Sequence, residues 1–198
     1  MSVARQQSNE VRYCWEQVLR TNPLFRISQV FAASIQASRL LPLYALFAAI
    51  EETCSIGSDE IVALRKLHWW REEWRRFVER GSDHPILKEL LRQGLQGDLV
   101  PEPMEAIFSA AESRIDMQPS SGPEELSRFC AAIGRPLLQL ESVVTGGGAE
   151  GGFAVEAYAE SNGLAQLLRE NQHLPAERAW RWLPLKPFRS RRDRRWRR

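Results

Sequence analysis

The sequence predicts an all-α fold, a bundle of helices joined by short breaks. Apolar residues recur at three- and four-residue spacing along most of the chain, and strand-like alternation is scarce. Gly, Pro and Ser cluster between the periodic stretches. A length of 198 residues suits one domain with a sizeable core. We place that domain at residues 1–185 and a basic tail at residues 186–198.

The elements follow in chain order. A first helix is predicted over about 9–20, ending at "TNP". A second runs over about 27–54, bent near Pro42. Its run "LLPLYALFAAI", Leu40 to Ile50, has 11 apolar residues between Arg39 and Glu51. That is too short to span a bilayer and suits a buried helix. "SIGSDE" is a turn in which Ser58 caps the next helix, with acids in its first turn where the helix dipole favours them. That helix continues to about Arg80. "GSDHP" stops it, and "HPILKELLRQGL" begins a shorter one, with His84 as a turn or cap residue. Pro101 and Pro103 open another, Met104 to about Arg114. "QPSSGP" is a loop. "PEELSRFCAAIGRPLLQLESVV" is helical, with Pro123 near its first position. "TGGGAEGG" is a flexible connection, and "FAVEAYAESNGLAQLLREN" forms the last long helix. After Pro184 no core-forming pattern remains.

The stretch "LHWWREEWRR" places three tryptophans beside three arginines and two glutamates. Ala63, Leu67, Trp70, Trp74 and Phe77 stand at i, i+4, i+7, i+11 and i+14, which is one helical stripe. Two of the tryptophans therefore face a core rather than a nucleic acid. Arg65, Glu72, Glu73, Arg76 and Glu79 fall largely off that stripe and can pair at i, i+3 or i+4. Trp69 lies off the stripe, lining a second contact or a cavity. His68 is a boundary residue.

Composition excludes several classes. The net charge of +2 points to no partner. It is unevenly spread, because Lys186 to Arg198 carry eight basic residues and one acid. Cys14, Cys54 and Cys130 are distant and form no CxxC pair, so neither a zinc site nor a disulfide framework is expected. A reducing, cytoplasmic setting is the simple reading, and the N-terminus has no apolar signal core. "TGGGAEGG" lacks the Lys-Ser/Thr ending of a phosphate-binding loop. Glu156 and Glu160, at i and i+4, read as a solvated helix face in preference to a metal clamp.

Five segments in order resemble the squalene/phytoene synthase family: "LLPLYALFAAIEE", "LRKLHWWREEW", "HPILKELL", "EELSRFCAAIGRP" and "GLAQLLREN…ERAWRWLP". Together they cover roughly residues 24–185. The resemblance implies an isoprenoid-synthase-like helical bundle, here truncated at the C-terminus, and head-to-head prenyl transfer. In that chemistry an allylic diphosphate ionises, and Mg2+ bridges the leaving group to carboxylates on facing helices. The resemblance implies diphosphate or substrate contacts at Tyr44, Gln166, Arg169 and Arg178, and Mg2+ ligands at Glu51, Glu52 and Glu170.

The chain departs from the family where the metals would sit. Its first acidic motif maps to Glu51, Glu52 and Ser55, with serine at the last acidic position. Adjacent helical residues project about 100° apart, so Glu51 and Glu52 do not form a one-face clamp. Ala48 replaces an arginine common before that motif. The second motif maps to "RENQH", where Glu170 is the only carboxylate, beside His173. The ending Trp182-Leu183-Pro184 comes soon before the chain stops, whereas the family usually continues with further helices.

The pattern is closer to degenerate relatives, among them a mitochondrial assembly factor for respiratory complex I that lacks the acidic motifs. The expectation is therefore a divergent protein without full transferase activity, an isoprenoid-binding or assembly and scaffold protein. The alternative is an active prenyl transferase with a remodelled Mg2+ and diphosphate site. A third reading is an adaptor driven by the tail "RSRRDRRWRR". That tail suits peripheral contact with anionic lipid, with Trp196 at the interface, in preference to nucleic acid.

Overall fold

The computed structural model describes residues 8–31, 33–54, 59–99, 101–115, 123–146, 157–161 and 163–165. They form α1 (Asn9–Thr21), α2 (Phe25–Phe31), α3 (Ser34–Thr53), α4 (Glu60–Arg80), α5 (Pro85–Arg92), α6 (Pro101–Ile115) and α7 (Pro123–Thr145). Residues 157–161 and 163–165 are helical as well, and no strand occurs among the described residues. None of the described helices is long and apolar enough to cross a membrane.

Local chemistry sets the helix ends. Ser8 caps α1 by accepting from the Val11 amide, and Asp59 caps α4 by accepting from the Val62 amide. The expected cap, Ser58, lies outside the described residues, and Asp59 does the work because its carboxylate also suits the positive end of the helix dipole. Gly81 ends α4 at φ +88°, a conformation that costs a β-carbon-bearing residue and costs glycine little. The expected helix over 27–54 is instead two helices, α2 and α3, with Ala33 in an extended conformation between them. Pro42 sits inside α3 without ending it. Helix α6 starts at Pro101 rather than Met104, since a proline is tolerated in the first turn, where no amide partner is needed.

Helix α3 is the centre of the bundle. It packs against α1, α4, α5, α6 and α7, while α6 pairs with α7 and with α4. That explains its near-continuous apolar run: Leu41, Leu43, Ala45, Leu46, Ala48, Ala49 and Ile50 are all buried. The α4 stripe is buried as its spacing predicts, with Ala63, Leu67, Trp70, Trp74 and Phe77 turned inward. Glu73 breaks the expectation for its face. It is 5% exposed and accepts hydrogen bonds from Arg76 and from the Ser82 hydroxyl, so its charge is compensated in place. Arg71 ties α4 to α6, reaching Glu105 at 3.1 Å and Glu112 at 3.3 Å with its guanidinium over the Phe108 ring.

Helix α7 meets the 157–165 segment at very close range. A β-carbon on Gly134 would lie 2.1 Å from the Ala159 carbonyl oxygen, and one on Gly163 would lie 2.1 Å from that of Cys130. Only glycine fits at these two positions, because the obstacle is backbone on both sides.

Candidate functional site

Helix α3 presents Phe47, Ile50 and Glu51 toward α6 and α7. With Ile107, Ala110, Ala111 and Arg114 of α6 and Ile133 of α7 they line a small cleft of about 10 Å3, room for about one water. Its walls are apolar apart from one ion pair. Arg114 approaches Glu51 Oε1 at 3.9 Å, and the two side chains are only 6% and 12% exposed. Burying both charges is costly, and their mutual attraction offsets that cost only while both are present. Arg114 lies on the same stripe as Ile107 and Ala111, which is why its guanidinium enters the pocket from the α6 side.

Glu52 points elsewhere. Its carboxylate accepts from Gln17 Nε2 at 2.7 Å and from Arg20 at 3.2 Å, both on α1. Arg20 also donates to Gln17 Oε1 at 2.5 Å, closing a three-residue polar network. The roughly 100° between neighbouring helical positions therefore sends Glu51 and Glu52 to different helices. These two residues do not fit a shared Mg2+ site: one faces an arginine, the other a glutamine and an arginine. Among the described residues no three His, Cys, Asp or Glu side chains converge as a metal would require.

Tyr44, one turn before the pocket, donates its hydroxyl to Glu141 of α7 and packs at a tilt against Phe25, with ring centroids 4.7 Å apart. Burial raises the Glu141 carboxyl above its usual range, and the Tyr44 hydrogen bond partly opposes that. The hydroxyl of Tyr158 is in turn raised by burial and by the Glu141 charge. The tyrosine expected at a diphosphate is thus engaged inside the bundle.

A second group of side chains gathers at the start of α5. His84 accepts the Ile86 amide at Nδ1, at 3.3 Å, so it is the cap of α5. Its ring is 4.8 Å from that of Trp70, 5.9 Å from Trp69 and 5.8 Å from Tyr13. Burial lowers its pKa, while the Glu73 charge opposes the shift. Trp69 is 47% exposed and packs edge-on against Trp70, which settles its off-stripe position as a surface contact. His68 is exposed. The three cysteines are buried thiols. Burial pushes the Cys14 thiol up to about 12 and the Cys130 thiol up to about 11.

Of the residues expected at the site, Tyr44, Glu51 and Glu52 are described, and they face three different partners. Ser55, Glu156, Gln166, Arg169, Glu170, His173 and Arg178 lie outside the described residues. Sequence reasoning missed Arg114 and Glu141. The signal was present in both cases: each is a charge at a position where an apolar stripe predicts a buried side chain, Ile107-Ala111-Arg114 and Leu137-Glu141-Val144. No family model, curated protein or solved structure matches the chain.

Proposed function

We propose that this chain is a divergent squalene/phytoene synthase-like protein that holds an isoprenoid or related lipid, or serves as an assembly scaffold, without full prenyl transferase activity. The observation that carries this reading is the engagement of the two described candidate metal ligands by protein cations and amides: Glu51 by Arg114, Glu52 by Gln17 and Arg20. A carboxylate paired to a buried guanidinium is a poor Mg2+ ligand, because the metal must displace a fixed charge as well as water.

Incubation with farnesyl or geranylgeranyl diphosphate and Mg2+ tests the proposal. Saturable quenching of tryptophan fluorescence without pyrophosphate release is the expected result. Sustained release with a coupled C30 or C40 product would favour the alternative, a transferase with a remodelled site.

A further inference from the structure

We propose that the outer face of α2 is a seat for an anionic lipid surface. Leu24, Ile27 and Val30 stand at i, i+3 and i+6 and are 67%, 58% and 77% exposed. Ile35, in the first turn of α3, is 73% exposed as well. Opposite them Phe25 anchors the helix in the core, against Trp15 and Tyr44. A short helix that points its large aliphatic side chains at solvent while one aromatic holds it down has the form of an interfacial wedge.

The surrounding polar chemistry selects a lipid occupant. No acidic residue lies between Glu16 and Glu51, whereas Arg20, Arg26 and Arg39 fall within that interval. Glu16 pairs with Arg12, Glu52 with Arg20 and Asp98 with Arg39, so these acids are offset and Arg26 supplies the positive charge beside the face. Arg26 extends over the Trp15 ring, a pairing suited to the headgroup layer. The hydroxyls along the face are hydrogen-bonded to the preceding turn of backbone. Thr21 donates to the Val18 carbonyl, Ser28 to that of Phe25 and Ser38 to that of Ile35, so little polar surface must be stripped of water on insertion. The four aliphatic side chains offer on the order of 500 Å2, short of the roughly 800 Å2 per partner of a stable dimer. That area suffices for shallow insertion, which is reinforced by attraction of basic side chains to anionic headgroups.

Vesicle flotation of the full-length chain tests this, using phosphatidylcholine alone and phosphatidylcholine mixed with phosphatidylglycerol. The chain is expected to float with the mixed vesicles. Ile27→Glu/Val30→Glu is expected to weaken partitioning roughly tenfold or more, with unchanged circular dichroism because both positions are exposed. Contact made through the basic tail is distinguished by salt, which screens it while the apolar contribution of α2 persists. Wild-type protein that stays with the aqueous phase overturns the proposal. So does a double variant that partitions like the wild type. A concentration-dependent dimer abolished by the same two substitutions assigns the face to a second copy and overturns it as well.

Discussion

Gly134→Ala is a sharp test of the packing, because two effects of known sign compete. In the middle of α7, replacing glycine by alanine alone would stabilise the helix by about 1 kcal/mol. The structure opposes this. The new methyl would sit 2.1 Å from the Ala159 carbonyl oxygen, whereas carbon and oxygen ordinarily approach to about 3.3 Å. The two segments must therefore separate by about 1.2 Å, and no flexible side chain can give way, since the obstacle is backbone. Overpacking of this kind costs about 1–3 kcal/mol. With the upper half of that range, the net effect is a loss of about 1–2 kcal/mol after the propensity gain. Urea denaturation measures it directly, and thermal unfolding should fall by roughly 3–6 °C. Gly163→Ala is expected to behave alike, through the Cys130 carbonyl. The double substitution should cost less than the sum, since the first already parts the helices. Gly97→Ala, where the added carbon meets nothing, is the control. A Gly134→Ala protein more stable than the wild type would refute the close crossing.

Further outcomes follow from the charged and buried groups. His84 has a lowered pKa in the fold, so its contribution to stability is complete above the unfolded value near 6.5 and is lost as pH falls toward the folded value. His84→Asn keeps a capping acceptor without titrating, and stability curves should lose that slope. Glu141 has a raised pKa, so its contribution is fully present below the unfolded value near 4.5 and is lost as pH rises through the folded one. Glu141→Gln, still an acceptor for Tyr44, should therefore raise the melting temperature at neutral pH. Cys14 is buried with its thiol pushed up to about 12, so alkylation of the native protein should be limited by opening of the fold. Arg114→Met removes the cation 3.9 Å from the Glu51 carboxylate and should cost about 3 kcal/mol. Adding Glu51→Leu should recover much of that loss in denaturation experiments.

The all-helical fold was legible because most of its helices carry amphipathic spacing and the central one, α3, is a long apolar run. The α4 stripe from Ala63 to Phe77 needed only geometry, and it is buried as expected. The divergence of Glu51 and Glu52 was legible for the same reason, since neighbours on a helix cannot share a face. What sequence could not supply is which helix each of them meets. Arg114 lies 63 positions after Glu51 and Glu141 lies 97 after Tyr44, and only the packing of α6 and α7 on α3 brings them together. Element boundaries failed where one residue changes the backbone, as at Ala33, because the apolar pattern runs on through the break. Glu73 was misplaced because its partners, Arg76 and Ser82, satisfy a charge that its position alone would send to solvent.

The central claim is that Glu51 and Glu52, expected to grip Mg2+, are occupied by the protein itself. Titration calorimetry with Mg2+ and then Mn2+, on the wild type and on Glu51→Gln, tests it most directly. The account predicts no measurable heat of binding attributable to Glu51 in either metal, and identical traces for the two proteins. Saturable metal binding by the wild type that disappears in Glu51→Gln would contradict it.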